Sequence, residues 1–168
     1  MIETALQAQS CWPDHDGETL AAAAVGATIG ATPYLAPNDI DAVVELAIRL
    51  TDDAEVRTLN RDYRHKDEPT NVLSFPMIEP GHIDAIANIT DEEVLLGDIA
   101  LACETCVQEA TERGVSVESH ATHLIVHGTL HLLGYDHMHD DEAEAMESLE
   151  RQIMANLGLH DPYEPVED

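Results

Sequence analysis

Alternating and continuous hydrophobic stretches predict four β-strands in this chain. Residues 2–9 alternate weakly, whereas residues 42–50 and 94–102 are rich in valine, leucine and isoleucine. Residues 71–76 form a shorter stretch that ends in Pro76, and a proline there indicates an edge strand or the end of a strand. These segments predict one small sheet.

Hydrophobic positions with a helical period, bounded by capping and stop residues, predict helices over residues 18–29, 54–63, 104–113, 116–133 and 140–157. In the last helix Met146 and Ile153 lie on the inner face, and the acidic residues lie on the outer face. Residues 79–91 are predicted to form a loop, and residues 161–165 a frayed tail. Because strands come early and helices dominate late, the predicted class is α+β: a small mixed β-sheet with packed helices, in a single domain over residues 1–168.

Histidines recur in the fourth predicted helix and just beyond it. His127, His131, Gly134 and His137 stand at positions i, i+4, i+7 and i+10. The first two are one helical turn apart, so both rings project from one face, and Gly134 allows the left-handed turn that returns His137 to them. Three imidazoles with an open fourth position describe a catalytic zinc site. A buried helix that carries histidines by chance is the alternative.

Gly128 restricts the chemistry of this predicted site. The histidine spacing equals the H-E-x-x-H-x-x-G-x-x-H motif of metzincin proteases, in which the glutamate acts as a base toward water. Gly128 occupies the glutamate position, and glycine cannot accept a proton. The spacing therefore predicts a zincin-like metal helix but does not favour a peptidase.

The charge of the chain limits its partners. Seven lysine and arginine residues face 34 aspartate and glutamate residues, which gives a formal net charge of −27. Such a surface repels nucleic acid in general. Five of the seven basic residues nevertheless lie within 18 positions. They are Arg49, Arg57, Arg61, Arg64 and Lys66.

Three of these arginines share one helix face. Arg57, Arg61 and Arg64 stand at i, i+4 and i+7, and Lys66 follows. Planar guanidinium groups bind phosphate through paired hydrogen bonds, so the cluster favours an anionic ligand. Pairing with surface carboxylates is an equal alternative for Arg57 and Arg61. Arg64 and Lys66 adjoin the following loop and strand, which favours binding.

Neither a membrane segment nor a disulfide framework is expected. No apolar run approaches the roughly 20 residues that a membrane span needs, and residues 1–5 do not begin a secretory signal. A cytoplasmic location is the resulting expectation. Cys103 and Cys106 form a lone C-x-x-C, which predicts small buried thiols; a redox site or a second zinc site is the alternative.

Three motifs follow one another along the chain. They are LNRDYRHKDEPTNVLSFP at residues 59–76, LLGDI at residues 95–99 and HGTLHLLGYDH at residues 127–137. In these motifs the chain resembles the bacterial rRNA maturation factor and endoribonuclease family YbeY. The resemblance covers residues from about 40 to 158, with a variable N-terminal stretch of about 35 residues and a variable C-terminal tail.

The resemblance implies one catalytic zinc ion per chain, held by His127, His131 and His137. It also implies that Arg64 lies near the metal and is required for activity. The implied activity is cleavage of single-stranded RNA, in 16S rRNA 3′-end maturation and ribosome quality control. The implied partners are rRNA and proteins of the small ribosomal subunit, and neither DNA nor a membrane is expected.

The acidic composition departs from what is expected of an RNA enzyme and argues against a broad basic surface. Arg57, Arg61 and Lys66, beside Arg64, are therefore the candidate substrate contacts. Two other functions stay open. One is a non-enzymatic ribosome-assembly factor with a structural metal; the other is a metallopeptidase, which Gly128 disfavours.

Overall fold

The computed structural model of the chain describes residues 2–8, 17–32, 43–77, 93–135 and 140–163. In chain order its elements are β1 (Ile2–Ala8), α1 (Gly17–Gly30), β2 (Val43–Thr51), α2 (Asp53–Arg64), β3 (Val72–Pro76), β4 (Glu93–Ala102), α3 (Cys103–Arg113), α4 (Val117–Leu132) and α5 (Asp140–Asn156). The predicted α+β class is confirmed, and the bounds differ from those expected by about one residue. The loop predicted over residues 79–91 lies outside the described residues.

The sheet has three parallel strands and one antiparallel strand at its edge. The strand order is β1-β2-β4-β3, and only β3 runs antiparallel to its neighbour. The edge position that Pro76 predicts for β3 is therefore confirmed. Opposite Pro76, Gly97 has a φ of +146°, and the carbonyl oxygen of Phe75 approaches the place where a β-carbon would stand. This glycine allows β3 to pack closely against β4.

Helices cover both faces of the sheet. On β4, Ile99 and Leu101 point to one face and join a large core formed with α1, α4 and α5. Ala100 and Ala102 point to the other face, where they pack against Val56 of α2. The end of α2 and the end of α4 therefore approach β3 from opposite faces of the sheet.

Helix α4 is the central helix of the main core. Of its 16 residues, 11 are buried, including His120, His123 and Gly128. Ser116 begins the helix, since its side chain accepts a hydrogen bond from the backbone of Ser119. A helix packed on so many sides holds its side chains in fixed directions, which matters for the histidines that it carries.

Two expectations about the C-terminal part are wrong. Glu150 of α5 is fully buried, although the acidic residues of this helix were expected on its outer face. Residues 161–163 pack on the domain, although this tail was expected to fray: Arg113 donates a hydrogen bond of 2.6 Å to the carbonyl oxygen of Pro162, and Pro162 is buried. Both differences reflect a set of polar contacts that α3, α4, α5 and the segment after α5 make with one another. Residues 164–165 of the predicted tail lie outside the described residues.

Among the described residues, no helix is both long and apolar enough to cross a membrane.

Candidate metal centre and anion-binding cleft

The end of α4 forms one wall of an open cleft of about 750 Å³. The other wall comes from the end of α2, the loop after it and β3. Polar and titratable side chains from both walls line the cleft: Asn60, Arg64, Lys66, Glu68, Thr70, Asn71, Ser74, His127, His131 and Tyr135. The fold thus brings part of the basic cluster and part of the histidine motif to one surface.

His127 and His131 direct the same ring nitrogen to one point. Their Nε2 atoms lie 3.1 Å apart, and the ring planes meet at 82°. The Nδ1 atom of His127 lies 2.9 Å from Oε1 of Glu150, and that of His131 lies 2.9 Å from the carbonyl oxygen of Tyr135. A carboxylate and a carbonyl only accept hydrogen bonds, so each Nδ1 carries the proton and donates. In the neutral form of each ring, Nε2 is therefore the unprotonated nitrogen, which is the form that binds a metal.

This pair of nitrogens fits a metal ion. Two unprotonated nitrogens facing each other repel, and a cation between them removes the repulsion. Nitrogen ligands of a tetrahedral zinc ion, each about 2.0–2.1 Å from the metal, are about 3.3 Å apart, and the observed 3.1 Å is close to this value. The third expected ligand, His137, lies outside the described residues.

The turn after α4 sets the orientation of His131. Gly134 has the positive φ expected of it, +98°, and its N–H donates to the carbonyl oxygen of His131. The next N–H, that of Tyr135, donates to Leu130 at 3.0 Å. The chain thereby reverses and presents the Tyr135 carbonyl to the ring of His131.

A buried carboxylate lies behind His127. Oε1 of Glu150 accepts from Nε2 of His123 and from Nδ1 of His127, each at 2.9 Å, and Oε2 accepts from the hydroxyl of Tyr163 at 2.7 Å. Burial alone would raise the pKa of Glu150, but the hydrogen bonds from His123 and His127, the charge of His127 and the hydrogen bond from Tyr163 lower it to about 2. The group is therefore ionised and accepts from all three donors.

A second carboxylate–histidine pair joins Glu109 of α3 to His120, one turn before His123 on α4. Oε1 of Glu109 lies 2.8 Å from Nε2 of His120 and accepts from the amide of Asn71 at 3.0 Å. Burial lowers the pKa of His120, and the hydrogen bond to Glu109 opposes the effect. His120 and His123 are thus packed, hydrogen-bonded histidines.

Arg64 is held over β3 at the other wall of the cleft. Its Nη2 donates to the carbonyl oxygen of Ser74 at 2.5 Å, and its guanidinium carbon lies 5.8 Å from the centre of the Phe75 ring. The Ser74 hydroxyl in turn donates to the carbonyl oxygen of Gly128 on α4, at 3.4 Å. A short chain of contacts through β3 therefore connects the guanidinium to the histidine helix.

Gly128 lies at a close contact between the helix and the sheet. A β-carbon at this position would lie 3.0 Å from Cγ2 of Ile99 and 3.2 Å from Oγ of Ser74. Both neighbours belong to the sheet, so α4 lies against β3 and β4 at this residue. The absence of a side chain, which removes the metzincin base, also allows the helix to approach the sheet.

Known proteins are similar to this sequence over its whole length. The sequence profile described as "Endoribonuclease YbeY" matches residues 27–158. A protein of that name from Rhizorhabdus wittichii is 59% identical over 169 residues, which cover 100% of both chains. Another from Sphingopyxis alaskensis is 55% identical over 164 residues, 97% of this chain and 98% of its own. The chain belongs to the YbeY family. The resemblance seen in the motifs is thereby confirmed.

A solved structure shows the same fold at low identity. The solution structure of TM1509 from Thermotoga maritima matches 98% of this chain and 100% of its own, with a TM-score of 0.51 and 22% identity. The likeness supports the mixed sheet and packed helices described above for this YbeY family member.

The basic residues singled out in the sequence have different surroundings. Arg64 and Lys66 line the cleft. Arg57 forms an ion pair of 2.8 Å with Asp67, and Arg61 forms one of 3.1 Å with Asp62; all four side chains are about half exposed. Neither Arg57 nor Arg61 is among the described residues that line the cleft. For Arg57 and Arg61 the structure therefore shows the alternative, in which each arginine pairs with a surface carboxylate.

The lone C-x-x-C consists of two buried thiols, Cys103 and Cys106, as expected. Burial together with the charge of Glu109 raises the pKa of Cys106 to about 12. Within the part of the chain that the structure describes, no group of three or more histidine, cysteine, aspartate or glutamate side chains is arranged to hold a metal ion.

Sequence reasoning missed two residues of the site, Glu150 and Tyr163. A signal for Glu150 was present, because it stands four residues after Met146 and three before Ile153, on the face expected to be buried. An acidic residue on a buried face indicates a specific partner. No comparable signal marks Tyr163, whose contact depends on how the chain turns back after α5.

Proposed function

We propose that this protein is a zinc-dependent endoribonuclease that cleaves single-stranded RNA. One observation carries the proposal: Arg64 and Lys66, which bind anions well, line the same cleft as His127 and His131, whose Nε2 atoms are arranged for a metal ion. A cleft with both features suits a phosphodiester substrate. The names of the relatives agree with this activity.

One zinc ion per chain would be held by His127 and His131, with His137 as the proposed third ligand. A bound zinc ion supplies Lewis-acid chemistry, because it polarises phosphate oxygens and acidifies water. The chain contributes the orientation of the ligands, since Glu150 and the carbonyl of Tyr135 hold the protons on the Nδ1 atoms. In this proposal no residue takes the place of the glutamate base that Gly128 excludes.

Arg64 would bind the scissile phosphate and stabilise the negative charge that develops on it. Its contact with the Ser74 carbonyl uses one donor of Nη2, and a guanidinium carries five N–H donors. The remaining donors are available on an exposed side chain at the cleft. Preorganised donors of this kind contribute about 3–4 kcal/mol to transition-state stabilisation in other enzymes.

The ion pairs of the protein support this role. Arg49, Arg57, Arg61 and Arg151 each pair with a carboxylate. Among the residues that the structure describes, neither Arg64 nor Lys66 forms such an ion pair. In a chain with a net charge of −27, the two cations of the cleft thus keep a positive charge that RNA can reach.

The substrate would be rRNA within the small ribosomal subunit, at the 3′ end of 16S rRNA and in ribosome quality control. A surface this acidic binds free RNA weakly, so contacts with small-subunit proteins would deliver the strand to the cleft. A single strand can enter a cleft that a stiff duplex cannot. A ribosomal substrate requires a cytoplasmic location.

The experiment is a cleavage assay on single-stranded and duplex RNA with the metal content measured on the same preparation. We expect the zinc-loaded protein to cleave the single strand, and expect little cleavage by Arg64→Glu or by protein stripped of metal with a chelator. Cleavage that survives Arg64→Glu would indicate a contaminating nuclease. If folded, zinc-loaded protein cleaves neither free RNA nor precursor 16S rRNA in small subunits, the result favours the non-enzymatic assembly factor. Metal-dependent cleavage of peptides would favour the peptidase.

A further inference from the structure

Glu150 is a fully buried carboxylate whose two oxygens accept hydrogen bonds from three side chains. Burying an ionised carboxylate is costly unless several donors surround it. The donors here are His123 and His127 of α4 and Tyr163 from the segment after α5. An arrangement that gathers donors from two separate parts of the chain suggests a role beyond filling the core.

The contact with His127 has a defined chemical effect. With its proton held on Nδ1 by Glu150, the ring presents Nε2 to the cleft, 3.1 Å from Nε2 of His131. The same hydrogen bond also restricts rotation of the His127 ring about its Cβ–Cγ bond. Carboxylates that hold metal-binding histidines in this way contribute to metal affinity in other proteins.

Tyr163 holds the carboxylate in turn. Its hydroxyl donates to Oε2 of Glu150, and its ring packs edge-on against His123 at 5.8 Å. The segment that carries it is tied down by two arginines. Arg151 forms an ion pair with Asp161 at 3.3 Å and lies over the Tyr163 ring, and Arg113 donates to the carbonyl oxygen of Pro162.

We propose that Glu150 is a positioning residue for the metal ligand His127, and that Tyr163 completes the metal site by fixing Glu150. The inference rests on the proposed function, since it takes His127 as a ligand. It assigns the segment of residues 161–163 a part in metal binding, although this segment does not line the cleft.

The chain offers a matched control. Glu109 of α3 pairs with His120 at 2.8 Å, so the same helix α4 carries a second contact between a carboxylate and a histidine. His120 lies outside the spacing of the metal histidines. Replacement of Glu109 therefore shows how far metal binding depends on the packing of α4 when no contact of a metal histidine is removed.

The test measures Zn²⁺ affinity by competition with a chromophoric chelator. It compares wild type with Glu150→Gln, Tyr163→Phe and Glu109→Gln. Thermal unfolding of the metal-free proteins checks that each variant folds. We expect Zn²⁺ affinity to fall by about 10- to 100-fold in Glu150→Gln and by a smaller factor, about threefold or more, in Tyr163→Phe. Glu109→Gln should stay within about twofold of wild type. Nitrogen NMR of the metal-free proteins should show the Nδ1-protonated form of His127 in wild type and less of it in Glu150→Gln.

Each result decides the inference. Equal Zn²⁺ affinity in wild type, Glu150→Gln and Tyr163→Phe would overturn it, as would an equal loss in Glu109→Gln. If Glu150→Gln does not fold, the affinity of Tyr163→Phe decides alone. A wild-type protein that binds no Zn²⁺ would instead contradict the proposed function, so the two failures are distinguishable.

Discussion

The guanidinium of Arg64 donates a hydrogen bond to the carbonyl oxygen of Ser74 on the edge strand β3. The hydroxyl of Ser74 contacts Gly128 on the opposite side, within the histidine helix α4. One residue of β3 therefore sets the position of the guanidinium relative to the histidines. Contacts through this residue therefore connect the arginine to the histidine helix, although the two come from distant parts of the sequence.

Replacement of Arg64 by lysine should abolish most of the cleavage while the protein stays folded. A lysine ammonium cannot keep a contact with Ser74 and also present a planar pair of donors to phosphate. We expect an approximately 100-fold lower kcat on single-stranded RNA. Initial rates with a fluorescent oligonucleotide measure the effect. The control is Arg49→Lys, because Arg49 pairs with Glu55 at 2.7 Å and lies outside the cleft; a similar loss in this control would contradict the assignment.

Substitution of Gly128 should destabilise the protein because the helix touches the sheet there. Gly128→Val places a branched side chain against Ile99 and Ser74, and such overpacking costs about 1–3 kcal/mol. Gly26 is the control, since it lies in a helix with nothing within 4 Å of an added β-carbon. Gly26→Ala should raise the free energy of unfolding by about 1 kcal/mol. Urea unfolding measures the free energy of unfolding of both variants. An unchanged value in Gly128→Val would show that Ile99 and Ser74 shift easily to admit the side chain.

Stability should fall as the pH drops below the ordinary pKa of histidine. Burial lowers the pKa of His120 from 6.5 in the folded state, so its stabilising effect is present above pH 6.5 and is lost as the pH falls through the folded pKa. In His120→Gln the amide can still donate to Glu109 but does not titrate. Urea unfolding of both metal-free proteins between about pH 7.5 and 5.5 should show the smaller loss in His120→Gln. Parallel curves would contradict the prediction.

Salt should first accelerate cleavage and then slow it. At low ionic strength the net charge of −27 repels RNA over long distances, and the screening length falls from about 30 Å at 0.01 M salt to about 8 Å at 0.15 M. Higher concentrations weaken the contacts of Arg64 and Lys66 with phosphate. Measurement of kcat/KM across KCl concentrations should therefore show a maximum. In Lys66→Gln the initial rise should persist, and a steady decline in wild type from the lowest concentration would show that the net charge does not act on RNA.

The pairing of His127 with His131 was easier to predict from the sequence than the residues that surround the pair. The spacing of His127 and His131 implies adjacent rings because both lie on one helix, and the structure places their Nε2 atoms 3.1 Å apart. The turn at Gly134 follows from the same local geometry. Sequence patterns within a single helix or strand were thus enough to predict the helix bounds, the edge strand and the paired histidines.

Contacts between distant elements could not be predicted in the same way. Glu150 is stable in the core only because three donors meet it, and two of them belong to another helix. An isolated helix pattern contains no information about such donors, so the acidic residues of α5 were all expected in solvent. Tyr163 and the role of Ser74 likewise depend on tertiary packing.

The contact between α4 and the sheet at Gly128 also limits how this scaffold can evolve. A general base at position 128 would place its β-carbon within 3.0–3.2 Å of Ile99 and Ser74, so both side chains would have to shift. Substitutions that make room at these two sheet positions would therefore favour the change. Conversion to a glutamate-dependent hydrolase thus depends on the packing of the sheet as well as on position 128 itself.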